Sequence, residues 1–109
     1  PRQEAPGDTA LRWPNGTTLH VHGLHVSPRE DDVFTPVWPG ETRVYAYALP
    51  PDHPRGTFWY HAHLQGSSAL QVAGGMSGAL IVGDDPPIVA AAQDVVAVLQ
   101  ETNLVEGRA

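Results

Sequence analysis

Short stretches of this chain are rich in apolar and β-branched residues, some alternating with polar ones at period two, and turn residues punctuate them. Thr17 to Val26 is rich in β-branched residues and lies between Pro14-Asn15-Gly16 and Ser27-Pro28. That composition between turn signals predicts a strand. In Glu41 to Leu49, Val44, Ala46 and Ala48 alternate with Arg43, Tyr45 and Tyr47, which predicts a second strand. Pro50 to Gly56 cannot continue it. Thr57 to Leu64, dense in aromatic and β-branched residues, is the third and ends at Gln65-Gly66. Ser67 to Met76 is small and polar, a loop or one short helical turn, and Ala79 to Val82 then forms a buried strand.

Gly83-Asp84-Asp85-Pro86-Pro87 has the composition of a linker, and Asp94 to Gln100 that of a strand with no obvious partner in what remains. The division expected is a domain over residues 1–83, a linker over 84–93, and the first strand of a following domain within 94–109. Successive short strands without an amphipathic helix make the fold class all-β, a sandwich of antiparallel sheets with Greek-key connections. A chain of 109 residues, 41% hydrophobic and 17% charged with eleven glycines and eleven prolines, supports one such core and no more.

Charge narrows the function. Twelve acidic against six basic side chains give a formal net charge of −6, with no basic run. This argues against nucleic acid or anionic lipid as partner and leaves small molecules, metals and proteins. No stretch is long enough for a membrane span, and the start lacks the apolar core of a signal peptide and an initiator Met, so a mature or trimmed product is expected. With no cysteine, disulfides, thiolate metal sites and thiol nucleophiles are all excluded, and any metal must be held by nitrogen or oxygen.

Nitrogen is plentiful in one pattern. His20 and His22 are two apart in one predicted strand, so their rings leave the same face with Cα atoms about 6.6 Å apart. His61 and His63 repeat this in another strand. Six histidines in a chain of this length would give about 0.3 such pairs by chance, so two pairs call for an explanation. Four neutral imidazoles suit zinc, copper, nickel or iron rather than magnesium or calcium. His25, three after His22, leaves the opposite face, and His53 sits in the proline turn; both are expected to be ordinary surface. Trp38, Phe58 and Trp59 are expected in core packing. Glu30, Asp31 and Asp32 form an acidic loop whose default is solvated surface unless a metal lies near.

The segments Thr18-Leu19-His20-Val21-His22-Gly23-Leu24 and Gly56-Thr57-Phe58-Trp59-Tyr60-His61-Ala62-His63 resemble the two N-terminal histidine motifs of the multicopper oxidases, with Val21 where tryptophan is more usual. Gln71-Val72, Gly75 to Val82, Pro39-Gly40-Glu41 and the Pro51-Asp52-His53-Pro54 turn extend the resemblance over about residues 17–100. The resemblance implies a cupredoxin-like Greek-key sandwich and a share of a trinuclear copper cluster that reduces dioxygen to water. His20 would bind the type 2 copper, His22 and His61 one type 3 copper, and His63 the other. Asp31 falls near the place where the family often carries an acidic residue that helps to protonate reduced oxygen. The family completes its cluster, and builds its type 1 copper site, from later His-X-X-His-X-His and His-Cys-His motifs, neither of which occurs in this chain. Its usual first strand is also absent, and the stretch from Pro6 to Thr18 is short. The implied partners are therefore the remaining domains or chains of the same oxidase, with dioxygen and a small reducing substrate, outside the cytoplasm. Two other readings stand beside this one: a copper- or zinc-binding module without turnover, and a mononuclear histidine-ligated hydrolase or oxygenase.

Overall fold

The computed structural model describes residues 15–83 and 95–101. Among these residues three strands form where β-branched and aromatic residues are densest: β1 at Leu19–His22, β2 at Gly56–Ala62 and β3 at Ser77–Val82. Among the described residues one short helix, α1, spans Ser68–Ala73 between β2 and β3, so the helical turn is realised rather than the loop. The strands make one antiparallel sheet in the order β1-β2-β3. Strand-dominated and antiparallel, the domain has the all-β character read from its sequence.

β1 is shorter than the stretch expected. Gly23 turns the chain away at φ 88°, and a Cβ there would lie 3.1 Å from the Phe58 ring. Upstream, Thr17 pairs with Val37 by two backbone hydrogen bonds of 2.8 and 3.0 Å. β3 starts two residues earlier than expected, because Gly78 lets the Tyr60 side chain lie across it; a Cβ at 78 would stand 2.5 Å from the Tyr60 hydroxyl. α1 is tied to the entry of β1 through the buried Gln71, whose amide donates to the Gly16 carbonyl at 2.6 Å and whose carbonyl accepts from Thr17 Oγ1 at 3.1 Å.

Directly opposed residues of antiparallel strands share a face. Pairing of Leu19 with Ala62, Val21 with Tyr60 and Phe58 with Leu80 therefore makes one face apolar, and Val21, Ala62 and, beyond β2, Leu64 are its buried core. Pairing of His20 with His61 and His22 with Trp59 gives the other face its imidazoles.

The strand expected over 41–49 does not form. Its alternation survives with the faces reversed: Arg43, Tyr45 and Tyr47 are half-buried, whereas Val44, Ala46 and Ala48 are exposed, Val44 to 87%. No described residue pairs with this backbone as a ladder, and side chains hold it instead. The Leu19 N–H donates to the Tyr45 hydroxyl at 3.3 Å, Arg43 donates to the Thr35 carbonyl at 2.7 Å, and the Ala48 N–H donates to Glu30 at 3.3 Å. Period two states which residues share a face; it does not state which face is buried or whether a neighbouring backbone is free to pair. This segment faces the apolar side of the sheet across a cleft of about 350 Å³, lined by Val37, Arg43 and Tyr45 opposite Leu19, Tyr60 and Ala62.

Asp94, at the start of the last expected strand, lies outside the described residues. Residues 95–101 form no strand and are exposed, Leu99 to 96%. The Gln100 side chain donates to the Val72 carbonyl.

Candidate metal centre

The β1/β2 register places His20 directly across from His61. Because each strand repeats its facing every second residue, His22 joins them on the same face. His63 follows just past the end of β2, its N–H donating to the Thr18 carbonyl at 3.2 Å. All four rings converge. Centroids of His20 lie 5.4 Å from His22, 5.1 Å from His61 and 4.9 Å from His63, and His61 is 5.6 Å from His22 and 5.5 Å from His63. His61 is buried, His20 half-buried, His22 and His63 exposed, so the cluster opens to one side.

Hydrogen bonds select which nitrogens face inward. Asp31 Oδ2 lies 2.6 Å from His20 Nδ1, and its Oδ1 accepts the Val21 N–H at 3.1 Å. A carboxylate on Nδ1 fixes the ring's orientation and leaves Nε2 as the electron-pair donor. His61 Nδ1 donates to the Ala62 carbonyl at 3.0 Å, which frees its Nε2, and that atom lies 3.4 Å from His22 Nδ1. Donor nitrogens of His20, His22 and His61 all lie within 4.8 Å of one another. Imidazole nitrogens bind transition ions at about 2 Å, so this spread suits one ion or two neighbouring ions with the ligands divided between them. The donor set is all nitrogen, with a carboxylate behind one ring, which fits copper or zinc and not the oxygen-seeking cations.

The acidic loop is not simply solvated. Backbone bonds from Glu30 and Asp31 to the Ser27 carbonyl, 2.9 and 3.0 Å, form the turn that delivers Asp31 to His20. Asp32 turns away, accepting the N–H groups of Phe34 and Thr35 and pairing with Arg43 at 2.7 Å. The Arg43 guanidinium, aided by those donors, holds the Asp32 carboxyl far below the usual carboxylate range, and Asp32 in turn raises Arg43. Tyr47, whose hydroxyl is enclosed without a hydrogen-bond partner, is pushed up by burial first and by the nearby Asp31 charge second.

His25 and His53 stand outside the cluster and engage each other. The His25 N–H donates to His53 Nε2 at 3.0 Å and His53 Nδ1 donates to the Pro54 carbonyl at 2.7 Å, so both nitrogens of His53 are occupied in joining two loops. Trp59 corrects the expectation of core packing: it is 42% exposed and stacks on His61 and His22 at 4.2 and 4.9 Å. Its place two residues before His61 is the sequence signal that puts it on this face. Phe58, by contrast, is half-buried on the apolar side, and Trp38 is half-buried over Gly16.

The sequence profile described as multicopper oxidase matches residues 10–87, which contain the whole cluster. The chain belongs to the multicopper oxidase family. Laccase-1 of Emericella nidulans is 42% identical over 59 residues, covering 49% of this chain and 9% of that protein. An iron transport multicopper oxidase of Saccharomyces cerevisiae is 35% identical over 78 residues, covering 62% and 12%. The multicopper oxidase mco of Staphylococcus aureus is 34% identical over 70 residues, covering 63% and 15%. This multicopper oxidase chain thus spans less than a sixth of the length of these relatives, and copper is the metal that its family implies. Among its described residues no helix is long and apolar enough to cross a membrane.

Proposed function

We propose that this chain is the first-domain part of a multicopper oxidase and holds one half of a trinuclear copper cluster. The observation that carries the reading is the convergence of the His20, His22 and His61 donors from adjacent strands, with the His63 ring against His20 and His61 and Asp31 hydrogen-bonded behind His20. His20 is assigned to the type 2 copper, His22 and His61 to one type 3 copper, and His63 to the other. When bound, the coppers couple four one-electron oxidations of phenols, amines or metal ions to the reduction of one dioxygen to two waters, with uptake of four protons.

The chain's own residues orient and shield. Asp31 keeps the His20 Nδ1 proton in place, so that Nε2 faces the cluster, and the Ala62 carbonyl does the same for His61. Among the described residues Asp31 is the carboxylate hydrogen-bonded to a ring of the cluster, and we assign it also to relaying protons from solvent, the role its place in the family motif suggests. The remaining ligands and the type 1 copper site come from other domains or chains of the same oxidase. In this reading residues 1–83 are the first domain, 84–93 a linker and 94–109 the entry to the next domain, and the protein works in the periplasm or outside the cell.

A copper- or zinc-binding module without turnover is the alternative, favoured by the compactness of the His20, His22 and His61 donors. Copper titration of the chain separates the two. Partial-site binding gives a nitrogen-ligated cupric resonance, no blue thiolate absorption, and no phenol oxidation above that of free copper. Tight binding of a single ion, and no oxidase activity after the rest of the oxidase is restored, would instead make it a module.

A further inference from the structure

The three imidazoles of the compact donor group are restrained in different ways. His20 has Asp31, and His61 has the Ala62 carbonyl. His22 is exposed, and its one hydrogen-bond-range neighbour among the described residues is the His61 ring itself, at 3.4 Å. Trp59 supplies what is missing. It sits directly across from His22 in the β1/β2 register and two residues before His61 on β2. Its ring stacks on His61 at 4.2 Å and 27° and on His22 at 4.9 Å and 29°. One rigid plate therefore lies against both rings, and offset stacking of flat rings restrains tilt in a way that aliphatic contact does not.

We propose that Trp59 is a positioning residue for the metal centre, holding the exposed His22 ring in register with His61. The inference rests on the copper-site reading above for its purpose, though not for its geometry. Without the plate, the His22 ring keeps only its contacts to His61 and His20, and a ligand rotor left less restrained must be ordered on binding.

The test compares Trp59→Phe, which keeps a flat face, with Trp59→Leu, which keeps apolar bulk without one, in the 109-residue chain with imidazole-labelled histidine. In the metal-free protein, Trp59→Leu is expected to lose the nuclear Overhauser contacts between the His22 and His61 rings and Trp59→Phe to keep them. Copper affinity should fall about fivefold in the former and less than twofold in the latter. Retention of the ring contacts in Trp59→Leu, or equal losses in both variants, would overturn the proposal. If Trp59→Leu does not fold, the unmutated metal-free chain decides: His22 ring protons must be shifted upfield relative to those of His63 by the indole ring current, and their coincidence counts against the stack. Failure of the unmutated chain to bind copper would sink the site reading while leaving the metal-free ring contacts to judge Trp59.

Discussion

Residues 19–22 and 41–49 both alternate with period two, and the structure treats them in opposite ways. In β1 the alternation is locked by a ladder to β2, so that Val21 is buried on one side and the imidazoles gather on the other. In 41–49 no described ladder exists; polar side chains turn inward and Val44, Ala46 and Ala48 face out. Alternation sorts side chains into two sets, and backbone pairing decides where each set goes. In this cluster the pairing is what fixes how His20 and His22 stand against His61.

Breaking the paired region should have the largest consequence. Replacing both His20 and His61 by Ala removes two facing donors and is expected to lower copper affinity at least a hundredfold, read by isothermal titration; near-normal binding would mean that the cluster is not the site. A charge placed on each region sharpens the contrast. Val21→Asp buries a carboxylate at a 2% exposed position and should cost about 3 kcal/mol or more of stability. Val44→Asp, at 87% exposure, should change stability by less than about 0.5 kcal/mol. Equal losses in chemical denaturation would show that Val44 is covered in solution.

Asp31 links the histidine face to the acidic loop, and its removal should fall between those effects. Loss of a carboxylate that orients a ligating imidazole typically costs about 10- to 100-fold in metal affinity. Asp31→Ala is expected in that range. Asp31→Asn, which still accepts from His20 Nδ1 but carries no transferable proton, should lose less affinity. In the assembled oxidase, Asn should slow dioxygen reduction and spare substrate oxidation; unchanged turnover would confine Asp31 to orientation.

How much of this was legible in the sequence follows from the same contrast. The His-X-His pairs fixed their own facing, since parity along a strand is local, and the two motifs supplied the family. The meeting of the two pairs was expected from the motifs, and what stayed illegible was the detail of how segments lie against one another. The β1/β2 register set Trp59 against His22, the Ser27 to Asp31 turn aimed one carboxylate of three at His20, and the His25 to His53 contact joined loops 28 residues apart. Each depends on which backbone lies beside which, and no periodicity encodes that. The strand reading over 41–49 failed for the same reason: its pattern was correct and its partner absent from the described residues.

The smallest effect concerns how the unpaired segment is held. Arg43 anchors 41–49 to Asp32 at 2.7 Å and holds the Asp32 carboxyl below its ordinary value of 3.8. A folded-state pKa below the unfolded one means that the unfolded chain takes up the proton first as pH falls. The stabilisation is therefore complete well above pH 4 and lost progressively below it, towards the depressed folded value. Solvent around the pair and added salt both weaken it. Asp32→Asn should accordingly lower the thermal midpoint slightly at pH 7, and less so in high salt, and the gap to the parent should close as the pH is taken below 4. A gap that persists unchanged into acid would mean that Asp32 acts through its hydrogen bonds to Phe34 and Thr35, which Asn preserves in part, and that the charge on Arg43 is not what keeps segment 41–49 against the sheet.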